Sequence, residues 1–329
     1  MEKNSRIFVA GHGGLAGSAI RRGLQRRGYE NLLLRTHAEL DLTDQGAVRG
    51  FFENEKPEYV LLAAAKVGGI LANDTSPADF IRENLEIQTN VIDACYQGGV
   101  KRMLFLGSSC IYPKLAPQPL KEEYLLTGPL ESTNRAYALA KIAGIEMCWS
   151  YNRQFGTKYL AAMPTNLYGP GDRFDLQGSH VLPALMRKAL EAKLAGQRTM
   201  EVWGTGTPRR EFLFSDDLAD ACIHLMCLPD DVYDGLLNYD DAPLVNIGSG
   251  TDLTIRELAE LILRVLDFDC ELRFDPSRLD GTPRKLLDVS RINRLGWKAR
   301  TELAEGIRLT YDSARAELEA IVNSQKTTQ

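Results

Sequence analysis

The stretch Asn134-Arg135-Ala136-Tyr137-Ala138-Leu139-Ala140-Lys141 sets a phenol and an amine four residues apart. On a helix the two side chains share a face. An ammonium beside a phenol favours the tyrosinate, so the spacing predicts that Lys141 lowers the pKa of Tyr137 from its usual value near 10. Such a phenol can exchange a proton with a substrate oxygen while hydride moves. Ser108, in Gly107-Ser108-Ser109, can hydrogen-bond the same oxygen. A tyrosine–lysine pair at this spacing is common on exposed helices and gains meaning only from its surroundings.

Those surroundings begin with Gly11-His12-Gly13-Gly14-Leu15-Ala16-Gly17. Glycines at 11, 14 and 17 let the backbone turn sharply and approach a diphosphate, while the free N–H groups of the next helix face the anion. The loop follows an apolar strand and opens an amphipathic helix, which is the context a dinucleotide site requires. Lys141 can then hold the nicotinamide ribose. A second reader of the cofactor is expected about 20 residues further on, after the second strand. There the chain reads Leu34-Arg35-Thr36-His37, with no carboxylate immediately after the strand to grip a ribose 2′-hydroxyl. Arg35 instead suits a 2′-phosphate, which favours NADP over NAD. Asp41-Leu42 would border the adenine.

Positioning these groups takes a parallel sheet. Apolar runs at 7–10, 32–34, 59–65, 103–106 and 159–163 read as strands covered on both faces. Helical patterns over 15–27, 45–54, 78–97 and 136–154 alternate with them, punctuated by Gly28, Pro57 and Gly98-Gly99. The alternation predicts an α/β protein with a Rossmann-type, doubly wound parallel sheet. After Pro164 the pattern loosens. Helices over 181–193, 217–227, 255–266 and 303–322, with a strand over 244–247, predict a smaller mixed α/β C-terminal substrate domain. The expected division is 1–168, with a return segment at about 214–248, against 169–213 and 249–329. The polar tail 323–329 is expected to fray.

Composition narrows the classes. The chain has 329 residues, and an apolar share of 44% excludes disorder as its main state. Its net charge is −5 with no dense basic run, so no nucleic-acid partner is expected. The first five residues lead straight into an apolar strand without a signal-peptide core. The apolar run at 60–65 stops at Lys66, far short of the roughly 20 residues of a membrane span. Six scattered cysteines without a C-x-x-C pair read as reduced thiols in a cytoplasmic protein. Four widely spaced histidines offer no zinc-ligand pattern, so no metal is expected.

Nearly the whole chain resembles the extended short-chain dehydrogenase/reductase superfamily. The likeness rests on the glycine loop, Asp41-Leu42, Tyr137 with Lys141, Asn166-Leu167-Tyr168-Gly169-Pro170, Arg210-Glu211-Phe212 and Asp216-Asp217. Four stretches narrow it: Ala63-Ala64-Ala65-Lys66-Val67-Gly68-Gly69-Ile70, Gly107 to Pro113, Met163 to Pro170, and Asp280 to Asp288. Together they resemble the GDP-L-fucose synthase family. The resemblance implies NADPH as cofactor and GDP-4-keto-6-deoxy-D-mannose as substrate, epimerised at C3 and C5 and then reduced at C4. Hydrogens at C3 and C5 flank the C4 ketone, so their removal gives enolates, which Tyr137 and Ser108 would stabilise. Epimerisation needs a base on one face and an acid on the other. By resemblance Cys110 is the base and His180 the acid; a thiol and an imidazole have ordinary pKa values near 8.5 and 6.5, bracketing neutrality.

The resemblance further implies cofactor contacts from Gly11, Gly13, Gly14, Leu15, Ala16, Gly17, Arg35, His37, Asp41, Leu42, Ala63, Ala64, Leu106, Gly107, Lys141, Pro164, Asn166, Leu167 and His180. Lys188, Trp203, Arg210 and Asp280 would hold the GDP-sugar, and a homodimer would form through helices containing 85–96 and 142–151. Two positions depart from the family pattern: Gly13 and His37 stand where arginines are usual. The loss of fixed positive charge weakens the case for NADP and leaves NADH use open. A 4-epimerase or 4,6-dehydratase, another keto-sugar as substrate, and a non-catalytic dinucleotide sensor are the competing readings. Ser109-Cys110-Ile111 lacks a dehydratase's acidic pair, a simple 4-epimerase has no need of Cys110 with His180, and a sensor has no use for Ser108, Tyr137 and Lys141.

Overall fold

The computed structural model describes residues 1–175, 179–237, 240, 242–278 and 280–326. Its strands are β1 (Ile7–Ala10), β2 (Leu32–Leu33), β3 (Tyr59–Leu62), β4 (Arg102–Leu106), β5 (Tyr159–Pro164), β6 (Asn166–Tyr168), β7 (Thr199–Trp203), β8 (Arg209–Phe214), β9 (Leu244–Ile247), β10 (Asp252–Thr254), β11 (Glu271–Asp275) and β12 (Arg284–Lys285). Six of them form one sheet in the order β2-β1-β3-β4-β5-β9, every neighbouring pair parallel. Side chains alternate between its two faces. Phe8, Val60, Phe105 and Ala161 join helices Gln45–Glu55, Pro77–Gln97 and Arg135–Phe155 on one side. Ile7, Val9, Leu61, Leu104 and Leu160 join Leu15–Arg26 and Ser215–Met226 on the other. Cover on both faces is why these strands read as unbroken apolar runs.

The helices obey local rules. Leu15–Arg26 buries Gly17, Ala19, Ile20, Gly23 and Leu24 along one stripe. Gly23 lets it approach Ser215–Met226: a Cβ there would lie 3.0 Å from Ile223 Cδ1. Arg22 and Arg26 bind Asp216 at 2.6 and 2.8 Å, and Asp217 accepts the Thr301 N–H at 2.9 Å. The Asp216-Asp217 pair is thus a packing device. Pro77 opens its helix, where a missing N–H does no harm. Thr254 and Glu257 close a capping box on Ile255–Val265.

After Pro164 the chain leaves the large sheet. β6 pairs with β8 rather than continuing beside β9, so the expected boundary at 168 falls beyond the point where the chain changes sheets. β10 and β12 complete that second sheet on β8, while β7 and β11 pair separately. A third apolar cluster fills this lobe, with Met186, Leu190, Val202, Phe212, Leu258, Ile262 and Ile307. Ile292 and Trp297, expected in the substrate lobe, pack instead beneath the six-stranded sheet with Ile223 and Val245. Helix Leu303–Lys326 outruns its expected end, and 327–329 of the tail lie outside the described residues.

The short β12 is held by charge. Asp252, on β10 at the far side of β8, accepts from Arg209 Nε at 3.0 Å and Arg284 Nε at 2.5 Å. Burial pushes its carboxyl up, but the two arginines outweigh that and keep it below the usual carboxylate range. Asp252→Asn is expected to lower stability at neutral pH by about 1–3 kcal/mol, the scale of lost charged hydrogen bonds. A depressed carboxyl contributes stability above the unfolded-state pKa, about 4, and loses it as pH falls toward the folded value. The deficit in urea midpoint must therefore shrink below about pH 4; one that stays constant into strong acid contradicts this account.

Candidate active site

The chain reverses direction across the sheet at β1, with β2 on one side and β3 on the other. Ligands of open α/β sheets bind outside the carboxyl ends of strands at such a switch point. Gly11 sits there with φ +85, and a Cβ on it would lie 2.7 Å from Ala64 N. Ala63 and Ala64 were expected to extend β3 but leave it to wall this loop. Gly17 is more constrained still: a Cβ would stand 2.1 Å from Gly11 O. Gly13 has open space around it, and Gly14 caps Leu15–Arg26 without a side-chain bond. The first N–H groups at Leu15 and Ala16 thus lie at a helix end suited to an anion. His12 Nδ1 is buried without a partner in the same loop. These features fit a dinucleotide diphosphate.

The adenosine end is less clear-cut. Arg35 donates to Glu55 Oε1 at 2.5 Å and to Leu34 O at 2.8 Å, so the expected 2′-phosphate reader is already engaged. His37 is the more available group, its side chain 83% exposed and its Nδ1 3.8 Å from Asp41 Oδ1. Asp41 accepts from the Thr43 hydroxyl and N–H, which hold its carboxyl below its ordinary value. Leu42 is buried beside it, and its carbonyl accepts from Asn90.

At the centre, Lys141 is buried and donates to Leu106 O at 2.9 Å. Burial alone pushes its ammonium down to about 7. Its Nζ lies 5.8 Å from the Tyr137 ring centroid. Tyr137 hydrogen-bonds Ser108, yet its pKa is raised rather than lowered, first by burial and then by Cys110. The expected direction is therefore corrected. Desolvation outweighs every other influence on this phenol, and Lys141 is not among the groups that shift it. Gly107 clears the path beneath, since a Cβ would collide with Met163 Cε at 2.2 Å. Pro164 ends β5 alongside, and Asn166 donates to Glu211 O at 2.7 Å with Leu167 next to it on β6.

Cys110 is half-buried in the turn after Ser108, whose Oγ accepts the Cys110 N–H at 3.3 Å. Its sulfur accepts from Asn134 Nδ2 at 3.2 Å and Lys285 Nζ at 3.5 Å. His180 stands at the N-cap of helix Val181–Leu194 but forms no side-chain capping bond. Surrounding protein, and then the Lys285 charge, lower its pKa. The thiol and the imidazole therefore share Lys285 as a neighbour. Neither Lys285 nor Asn134 was singled out for a role, although both stand within the motifs quoted for other residues. The Asn134 side chain reaches the sulfur from within the same lobe, and that of Lys285 only once the two lobes meet.

On the second lobe, Arg210 feels Cys110, Asp280 and Glu131, although burial dominates and lowers its pKa. Lys188 Nζ lies 4.4 Å from the Trp203 ring centroid and Arg278 Cζ 5.0 Å, so this half-exposed indole is a cation-flanked platform. Asp280 accepts from the Thr205 N–H and hydroxyl, both at 2.8 Å, which fixes the loop beside Arg210. Arg278 is a further residue that the sequence reading passed over.

Fold and site together define a dinucleotide-dependent oxidoreductase. Residues 7–238 match the model of the NAD dependent epimerase/dehydratase family. The chain is 58% identical over 311 residues to GDP-L-fucose synthase 1 of Arabidopsis thaliana, spanning 94% of this chain and 93% of that one. It is 53% identical over 310 residues to GDP-L-fucose synthase of Escherichia coli (strain K12), spanning 93% and 95%. It is also similar to the solved structure of MlghC, a GDP-mannoheptose C4 reductase from Campylobacter jejuni with NADP bound. That likeness has a TM-score of 0.84 and 42% identity over 96% of this chain and 99% of that one. The chain belongs to the NAD dependent epimerase/dehydratase family and, within it, to the GDP-L-fucose synthases.

Gly17→Ala is expected to weaken dinucleotide binding at least about tenfold, roughly 1.4 kcal/mol, in a fluorescence titration. Unchanged affinity in a folded variant would mean that the loop does not cradle the diphosphate.

Proposed function

We propose that this chain converts GDP-4-keto-6-deoxy-D-mannose to GDP-L-fucose, inverting C3 and C5 and then reducing C4 with NADPH. The observation that carries this reading is the convergence of Ser108, Tyr137 and Cys110, with Lys285 linking the sulfur to His180. Gly11, Gly14 and Gly17 would hold the cofactor's diphosphate, and Lys141 its nicotinamide ribose. When bound, the cofactor supplies the hydride that reduces C4.

The protein's own groups supply everything else. Ser108 and Tyr137 hydrogen-bond the C4 oxygen. A phenol whose pKa is raised stays protonated at neutral pH, which suits it to give its proton to that oxygen. The same two donors stabilise the enolates that form when C3 or C5 is deprotonated. Cys110 takes the proton from one face and His180 returns one from the other. Arg210 and Lys188 suit the substrate's diphosphate, and Trp203 offers its face to the base. NADPH is the cofactor of this reading, with His37 and Arg35 nearest the place for a 2′-phosphate.

The likeness to a C4 reductase favours a second reading, reduction of a related GDP-keto-sugar without inversion. Cys110 and His180 weigh for inversion, because a reductase needs neither. We further propose a cytoplasmic homodimer. All six cysteines are free. Leu139 and Phe155, exposed on helix Arg135–Phe155, offer apolar surface for a second copy. Among the described residues no helix is long and apolar enough to cross a membrane.

The wild-type chain is expected to oxidise one NADPH per GDP-4-keto-6-deoxy-D-mannose, and Tyr137→Phe to lower kcat by about 10²–10⁴. No cofactor oxidation with either NADPH or NADH rejects the assignment. Cys110→Ala is expected to stop solvent-deuterium uptake at C3 and C5, followed by NMR, while leaving NADPH binding intact. Wild-type uptake in that variant would remove the thiol from the reaction.

A further inference from the structure

Lys285 carries an ammonium that forms no ion pair among the described residues. It is half-buried, and its side-chain hydrogen bond goes to the sulfur of Cys110 at 3.5 Å. Cys110, Asn134, Glu131, Thr282 and Arg284 line a cleft with it. Among the described lining residues Glu131 supplies the carboxylate, and it is bound to Lys114 at 2.9 Å, with Thr282 donating to it at 3.5 Å. A half-buried cation without a counter-charge favours an anion beside it. A neutral thiol is a poor acceptor, whereas an ammonium–thiolate contact is charge-assisted.

The strand that bears Lys285 is held from three directions. Lys285 pairs with Arg210 of β8, Arg284 is bound by Asp252, and the Leu287 N–H donates to the buried Glu211 carboxylate at 2.9 Å. Cys110 belongs to the other lobe, in the turn after β4. The contact between them is therefore made across the seam.

We propose that Lys285 is a positioning residue for the Cys110 sulfur, carried on β12 to hold it as a proton-accepting thiolate aimed into the cleft. This rests on the double-inversion reading above. In that step the C–H bond beside the ketone breaks, an S–H bond forms on Cys110, and the bonding pair moves to the C4 oxygen as an enolate. The carbon then takes a proton from imidazolium His180 on the opposite face, and exchange with water restores both groups. The same ammonium lowers the His180 pKa and so makes its imidazolium a readier donor.

The test uses full-length Lys285→Gln, Lys285→Met and Lys285→Arg, so that loss of fold in one neutral variant leaves the other. Alkylation of Cys110 by iodoacetamide is followed by peptide mass spectrometry at one fixed neutral pH. The neutral variants are expected to react at least about tenfold more slowly than wild type, because the thiolate is the nucleophile. Lys285→Arg is expected to restore most of the rate. Solvent-deuterium uptake at C3 and C5 should fall in parallel, as a drop in rate at saturating keto-sugar. Wild-type alkylation in a folded neutral variant overturns the proposal. So does a variant whose alkylation is unchanged and whose KM alone rises, since Lys285 would then serve the substrate's diphosphate. If the wild-type chain exchanges no deuterium, the double-inversion reading fails instead, and the alkylation result stands apart from it.

Discussion

The Glu211 carboxylate lies wholly out of solvent, with no cation paired to it among the described residues. Burial raises its pKa, and the N–H groups of Leu287 and Gly250 pull the other way. Those two donors, at 2.9 and 2.7 Å, come from separate segments. Gly248 must be glycine beside it, since a Cβ would stand 2.2 Å from Glu211 Oε1. The carbonyl of the same residue accepts from Thr165 and Asn166, at the point where the chain changes sheets. One side chain thus joins β8, the loop after β9 and the segment that follows β12. Removing it would leave buried N–H groups unpaired, which costs about 1–3 kcal/mol for each.

What Glu211 fixes is a register, and the register decides the chemistry. β12 is two residues long and stays in place only because its flanks are bonded: Arg284 to Asp252 and Leu287 to Glu211. Between them stands Lys285. On the opposite lobe, parallel pairing of β4 with β5 brings Leu106 O to the Lys141 ammonium and Ser108 to the Tyr137 phenol. The reductive half of the site lies within one lobe, whereas the thiol's environment belongs to two.

The cleft is built for anions. Lys141 is held by a carbonyl, Lys285 by a sulfur, and Arg210 by the neighbouring Arg209 carbonyl. The two carbonyl partners leave the charge on Lys141 and Arg210 uncompensated until a substrate or an enolate supplies the opposite sign, whereas Lys285 has the Cys110 sulfur for that purpose. At the adenosine end the reverse holds. Arg35 is already paired with Glu55, and its guanidinium lies over the Phe51 ring at 5.5 Å.

Much of this was legible in the residues themselves. The strand–helix alternation, the glycine loop and the tyrosine–lysine spacing are local patterns, each set within a few residues by steric and periodic rules, and the large sheet follows from them. Sequence alone also named Ser108, Cys110 and His180, through motifs that surround them. It did not set the direction of the Tyr137 shift, because desolvation depends on what packs over the phenol, and no spacing along a helix encodes that. Nor did it show that Arg35 is engaged by Glu55, that β6 leaves the large sheet, or that Lys285 reaches Cys110. Those facts join residues 20 to 175 positions apart, and contacts of that span exist only once the chain has closed on itself.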